Sequence, residues 1–250
     1  MNAEVICGDA LETLRGMEAG SVDCVIADPP YNIGFKYDTY RDDLPQDDYR
    51  AYMLAVVEAA ADALRPGGSL WWLQYPEESS YLWQAAQETI PALRPVRMVA
   101  WVYHAHASGA PLRRGLRLWC WFSKAALEMA GDFPGAYRNP DDARVARLME
   151  SGGCPTDYDW WELEQVKNVS TEKTAHPCQI PVEMVRRIVR ACSPPGGLVV
   201  DPFAGSGTTG EAAVTEGRRF IGVELSPVYA ELAERRINAA QPPLFTEAGA

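Results

Sequence analysis

Short apolar runs alternate with amphipathic stretches along most of this chain. "EVICGD" near the start reads as a strand, "ALETLRGM" as a helix and "SVDCVIADPPY" as a buried strand that runs into a polar and aromatic loop. A helix is expected from Asp47, as its N-cap, to Leu64, where "RPGG" stops it. "SLWWLQ" is the next strand, "EESSYLWQAAQETI" a helix, and "VRMVAWVY" and "LRLWCWFSK" two further strands. Regularity resumes at Pro181, near the first turn of the helix "PVEMVRRIVRAC". "GGLVVDPFAGSGTTGEAAVTEG" then reads as strand, glycine turn and helix, followed by the strand "RRFIGVE" and the closing helix "SPVYAELAERRINAA". Strands alternating with helices predict an α/β, doubly wound sheet.

The alternation fails between about 125 and 175, where the sequence is polar, rich in Gly, Pro and Trp, and holds one short helical stretch. With 250 residues, of which 47% are hydrophobic, the chain suits one large domain carrying an insertion. The expected division is a main domain of residues 1–124 and 171–250, with 125–170 as the insertion.

Composition narrows the function classes. No run of about 18 apolar residues is present, so no membrane span is expected. The first residues lack the basic region and apolar core of a signal peptide, which points to a soluble, cytoplasmic protein. Six cysteines stand at 7, 24, 120, 154, 178 and 192 without a C-x-x-C pair, so neither a zinc ribbon nor a redox motif is expected. His104 and His106 suit polar contacts better than a metal pair, and no metal site is expected. The net charge of −11 argues against a nucleic-acid partner when taken alone. It conceals an asymmetry, because Thr89 to Leu127 contains no acid but holds Arg94, Arg97, Arg113, Arg114, Arg117 and Lys124. A local basic surface attracts phosphate even on an acidic protein. Lys36, Arg113, Arg114 and Arg117 are therefore candidate DNA phosphate contacts, with a solvated charged face as the plain alternative. The tryptophans at 71, 72, 119, 121, 160 and 161 are read as packing residues before base readers.

Two stretches carry candidate chemistry. In "DPFAGSGTTG", Gly205 and Gly207 fall where a strand turns into a helix, a place where backbone approaches a ligand and free N–H groups meet an anion. The next strand ends at Glu224, and an acid about 20 residues past such a turn commonly binds ribose hydroxyls. The G-x-G-x-x-G spacing is missing, so a nucleoside cofactor other than NAD is indicated. The second stretch is "DPPY", Asp28 to Tyr31, an acid, two prolines and an aromatic that cannot continue a sheet. The two strands that end in these motifs are expected to be neighbours.

Together, "DPPY" followed much later by "DPFAGSGTT" resembles the β group of S-adenosylmethionine-dependent DNA amino-methyltransferases, the adenine-N6 and cytosine-N4 type. "GDALETL", "HPCQIPVEMVRRIV" and "GRRFIGVELSPVYAELAERRI" agree with that family in the same order. The resemblance covers the chain except for roughly 125–170, and implies a Rossmann-like fold in which that stretch recognises the target. It implies that Gly205, Ser206, Gly207 and Thr208, with Phe203 beside them, hold the methionine part of S-adenosyl-L-methionine. Glu224 would bind the ribose, and Asp9 and Ala10 the adenine, although Asp9 also suits the N-cap of the helix it precedes. "HPCQIP" matches a segment usually written HPTQKP, with His176 kept and Cys178 and Ile180 replacing threonine and lysine. The resemblance assigns Asp28, Pro29, Pro30 and Tyr31 to catalysis.

That assignment has a chemical rationale. An exocyclic base nitrogen must move towards sp³ to attack a sulfonium methyl, and two acceptors aimed at its N–H bonds favour the change. Asp28 and the Pro29 carbonyl can be those acceptors, and Tyr31 can stack on a base flipped out of the duplex. Phe35, Lys36, Tyr37 and Tyr40 follow in a loop suited to closing over it. Aspartate at 28 resembles the adenine-N6 type, with cytosine N4 as the alternative. A catalytically silent DNA-binding regulator is the reading from another class, suggested by the acidity. The expected partner is double-stranded DNA, within restriction-modification chemistry, and the short recognition lobe leaves room for a homodimer.

Overall fold

The computed structural model describes residues 3–104, 114–133, 143–151, 157–166 and 173–240. Within them the strands are β1 (Ala3–Cys7), β2 (Val22–Ala27), β3 (Leu64–Gln74), β4 (Leu93–Val102), β5 (Leu116–Lys124), β6 (Trp160–Glu162), β7 (Leu198–Asp201) and β8 (Arg219–Glu224). The helices are α1 (Ala10–Arg15), α2 (Gln46–Ala63), α3 (Pro76–Thr89), α4 (Ala143–Glu150), α5 (Val182–Cys192), α6 (Thr208–Thr215) and α7 (Pro227–Ala239). The strands form one sheet in the order β1-β8-β7-β2-β3-β5-β4-β6. The α/β, doubly wound architecture expected from the alternation is the one observed.

Successive strand residues point to opposite faces, and the two cores follow that period. Val25, Leu70, Trp72, Cys120 and Phe122 face one core, together with Leu14 of α1, Val56 and Val57 of α2 and Leu82 of α3. Cys24, Ile26, Trp71, Leu73, Trp119 and Trp121 face the other, with Met184 and Ile188 of α5, Ala212 of α6 and Ile237 of α7. Both faces of the central strands are covered, which explains why "CVIA" and "LWWL" are continuously apolar.

Five of the six tryptophans weighed above are buried, and Trp160 is exposed. Trp71 stacks on Trp121 with ring centres 4.7 Å apart, and on Trp161 at 5.9 Å. Trp161 belongs to β6, which pairs in parallel with β4 from Ala100↔Trp160 to Val102↔Glu162. Three residues of the irregular stretch thus form the outermost strand of the sheet.

Two boundaries differ from expectation. Helix α2 begins at Gln46 with Pro45 as its N-cap, and Asp47 lies in the first turn. Proline fixes the entry angle there, and an acid in the first turn complements the helix dipole without capping. Strand β3 starts at Leu64, so "RPGG" belongs to the strand and Gly67 takes φ +81° within it.

The strand pairs around β5 position the site. Strands β2, β3, β7, β8 and β1 run parallel, whereas β5 runs antiparallel to both β3 and β4. The parallel strands therefore end at the edge where β5 begins. Strand β2 pairs directly with β7, Cys24↔Val199 and Val25↔Val200, so the two motif-bearing strands are neighbours as expected. No helix among the described residues is long and apolar enough to cross a membrane.

Candidate active site

At this edge the strand ends open into a cavity of about 490 Å³. Asp28, Pro29, Pro30 and Tyr31 enter it from the end of β2. Phe203, Gly205, Ser206 and Thr208 enter from the turn after β7, Glu224 from β8, Asp9 and Ala10 from the turn after β1, and His176 and Cys178 from the segment before α5. Residues spread from position 9 to 224 share one chamber.

The loop after β2 is held by an acid that no motif announced. Buried Asp42 accepts the amides of Asn32 (2.8 Å), Ile33 (3.1 Å) and Phe35 (2.9 Å). Asn32 takes φ +55° and clasps Leu44 through both ends of its amide. The Pro30 carbonyl accepts from Tyr49 Oη at 2.8 Å, which fixes the second proline of the motif. Tyr31 Oη donates to Asp28 Oδ1 at 2.6 Å, and its ring meets Tyr75 edge-on at 4.8 Å. Burial raises the Asp28 pKa, opposed by the Arg117 charge and the Tyr31 hydroxyl.

The glycine turn is built for close approach. Gly205 has φ +48°, and a Cβ there would stand 3.2 Å from the His176 ring. Gly207, at φ +78°, is the N-cap of α6; a Cβ there would stand 2.9 Å from the Ala233 Cα. Gly207 packs behind the turn and does not line the cavity, whereas Gly205 does. Arg236 of α7 donates to the Ser206 hydroxyl (3.2 Å) and the Thr208 hydroxyl (2.9 Å), fixing both from behind. Glu224 accepts the amides of Gly205 (2.9 Å) and Ser226 (2.8 Å), which orients its carboxylate at the cavity.

Asp9 serves two ends. Its side chain caps α1 by accepting the Glu12 amide at 2.9 Å, and its other oxygen accepts from Tyr52 Oη at 2.8 Å. The cap reading and the cavity reading hold together. His176 Nδ1 lies 2.5 Å from the Cys178 carbonyl, and its ring abuts Tyr229 at 4.6 Å. Burial pulls the His176 imidazole down to about 4, so it is neutral at physiological pH. Cys178 Sγ lies 3.9 Å from Tyr37 Oη, and burial keeps its thiol protonated.

The basic residues divide. Lys36 is exposed on the loop and outside the cavity lining. Arg114 is exposed, pairs with Glu77 at 3.1 Å and lies over the Tyr75 ring at 4.1 Å. Arg117 is not on the outer surface. It lines the cavity, with its guanidinium 4.9 Å from the Tyr31 ring centre and its Nε buried. Arg113, His106 and Cys154 lie outside the described residues. His104 pairs with Glu164 at 2.6 Å.

Sequence reading missed Asp42, Tyr49, Tyr52 and Tyr75 as supports of the site. Asp201 opens the "DPFAGSGTTG" stretch. Burial pushes its carboxyl up to about 7, and its Oδ1 accepts the Phe203 amide at 2.9 Å. The one signal that would have found Arg117 is its place at the start of a strand whose partners end at the site.

Comparison with known proteins agrees with this geometry. A family described as DNA methylase matches residues 22–235. The chain is 29% identical over 251 residues to the DNA adenine methyltransferase YhdJ of Escherichia coli (strain K12), covering 94% of this chain and 83% of that one. It is 28% identical over 260 residues to the Type II methyltransferase M.ScaI of Streptomyces caespitosus, covering 95% and 82%. Among solved structures, the PvuII DNA methyltransferase (cytosine-N4-specific) superposes with a TM-score of 0.71 at 19% identity, covering 100% of this chain and 89% of that one.

Proposed function

The chain belongs to the DNA methylase family, and from that premise we propose that it transfers a methyl group from S-adenosylmethionine to adenine N6 of a base flipped out of duplex DNA. One observation carries the reading: the Asp28 carboxylate from β2 and the glycine turn from β7 face the same cavity.

The residues suit that cofactor. A Cβ at Gly205 would crowd the cavity wall, and Glu224 presents a carboxylate oriented by two backbone amides. Each Glu224 oxygen retains a lone pair for a ribose hydroxyl. Asp9 and Ala10 flank the adenine end, and Ser206 and Thr208 the methionine end. His176, neutral and packed on Tyr229, adds a flat wall without charge. S-adenosylmethionine supplies the methyl as a sulfonium.

Asp28 and the Pro29 carbonyl accept from the two N–H bonds of the target amino group and draw its lone pair out of the ring. Their rigidity matters, because donors and acceptors fixed beforehand need no reorganisation as charge develops. Asp42 and Tyr49 supply that rigidity here. The adenine assignment rests on Asp28, which resembles the adenine type, and on the name of the YhdJ relative. The same acceptors suit a cytosine amino group, so cytosine N4 is the second reading. Residues 125–170 form the target-recognition region in this proposal, and Lys36 and Arg114, both exposed, contact phosphate.

Tritiated methyl transfer to unmethylated genomic DNA, followed by nucleoside digestion, tests the proposal. Label in N6-methyladenosine is expected. Label in N4-methylcytosine overturns the base assignment and keeps the chemistry. No label despite cofactor binding favours the silent regulator.

A further inference from the structure

Strand β5 reverses the direction of the sheet, and that reversal brings its first residues to the edge where the neighbouring strands end. Arg117, the second residue of β5, thereby enters the cavity wall. Four rings surround its guanidinium: Tyr31 at 4.9 Å, Trp101 at 5.1 Å, Tyr75 at 5.6 Å and Tyr103 at 5.7 Å. Its Nε is buried and makes no hydrogen bond. An arginine stays charged in any protein environment, and a desolvated cation demands a compensating anion. Asp28 lines the same cavity and accepts from the hydroxyl of the Tyr31 ring that the guanidinium faces, so it is the nearby carboxylate that can serve as that anion.

The demand runs the other way too. Tyr31 Oη donates to Asp28 Oδ1, so Oδ2 is the less engaged oxygen and the one assigned to a substrate. A proton on Oδ2 would turn that acceptor into a donor. We infer that Arg117 is a positioning residue for methyl transfer: its guanidinium holds the Tyr31 ring against Tyr75 and puts a buried positive charge in the wall of the cavity that Asp28 enters, so that Asp28 accepts from the target amino group. The inference rests on the proposed role of Asp28.

The titratable groups around Asp28 come from every element packed there. Tyr31 and Tyr37 belong to its own loop, Arg117 to β5, Asp201 to β7 and Cys178 to the segment before α5. The Asp28 charge helps to raise the Asp201 pKa, and Arg117 is the cation among the five. Burial alone raises the Asp28 pKa, and Arg117 is the largest influence that lowers it.

The test is the pH profile of kcat/KM for methyl transfer in Arg117→Gln, Arg117→Met and Arg117→Lys, with cofactor binding measured on each. Removing an arginine beside a carboxylate shifts its pKa up by about 1–3 units. The acid limb of both neutral variants is expected to rise by at least about one unit, so that activity falls about tenfold or more at pH values on the limb, below both pKa values, and recovers at higher pH. Arg117→Lys is expected to return the limb towards its wild-type position. A limb that stays in place in the neutral variants overturns the inference, as does a lysine variant that shifts as far as they do. Loss of cofactor binding in both neutral variants makes Arg117 a folding residue and overturns it equally. Asp28→Asn separates the two layers: normal transfer by that variant refutes the role of Asp28, whereas its inactivity with an unmoved Arg117→Gln limb refutes only the role of Arg117.

Discussion

The Gly205 amide donates a 2.9 Å hydrogen bond to Glu224 Oε2, joining the glycine turn after β7 to the acid at the end of β8. One short contact thus ties the two halves of the proposed cofactor site. Replacing Glu224 by Ala removes the ribose acceptor and loosens the turn. The expected result is a cofactor Kd raised about 10–100-fold, equivalent to about 1.4–2.7 kcal/mol. Calorimetric titration with S-adenosylmethionine measures it, and an unchanged Kd would place the ribose elsewhere.

Asp28→Ala removes an acceptor that acts only as the amino group reacts. Methyl transfer is expected to fall about 10²–10³-fold, as for loss of one preorganised group in an oxyanion hole. Cofactor affinity should stay within about threefold. Transfer near the wild-type rate would sink the role given to Asp28.

Gly207 stands at φ +78° with the Ala233 backbone 2.9 Å from where a Cβ would lie. Gly207→Ala therefore combines left-handed strain of about 1–2 kcal/mol with overpacking of about 1–3 kcal/mol. A loss of about 2–5 kcal/mol in urea unfolding is expected, with the midpoint lowered and the slope unchanged.

Burial pushes the Asp201 carboxyl up to about 7, far above its unfolded value of 3.8. Below the unfolded value both states hold the proton, and the stability it contributes is fully present. As pH rises towards 7 the unfolded chain sheds that proton first, so stability falls. Asp201→Asn lacks this dependence. Its stability relative to wild type should improve between pH 5 and pH 8 by an amount on the order of 2–3 kcal/mol. A constant gap in denaturation midpoint across that range would refute the shift.

Ser226 caps α7 through the Tyr229 amide and also donates to Asp38 on the loop after β2. Ser226→Ala should cost about 1 kcal/mol for the lost cap. It should also speed limited proteolysis within residues 33–41 more than elsewhere, because the loop loses its tether. Uniform digestion kinetics would show that the tether carries no weight.

Much of this site was legible because its chemistry is local. Asp28 with its prolines, the glycine turn and Glu224 each announce themselves within a few residues of a strand end. The pairing of β2 with β7 followed from the same logic. What stayed hidden acts across the fold. Asp42 holds the "NIGF" backbone from seven to ten residues away through three amides, a contact with no spacing signature. Arg117 reads as one of several arginines in a basic stretch, and only the reversed direction of β5 turns it inward. Trp161 gave no strand signal because a three-residue edge strand is too short to show a period.

The tryptophan column has an optical consequence. Trp71, Trp121 and Trp161 come from three different strands, yet their rings lie within 4.7–5.9 Å of Trp71 at interplanar angles of 17° and 20°. Rings this close couple their strong far-ultraviolet transitions, so the column is expected to carry a dichroism that no single indole would have. The Trp161 member sits on the outermost strand. Any movement that lifts β6 from β4 would erase its share of that signal while the central strands stay folded, and the protein thereby contains its own gauge for the attachment of the irregular stretch to the catalytic sheet.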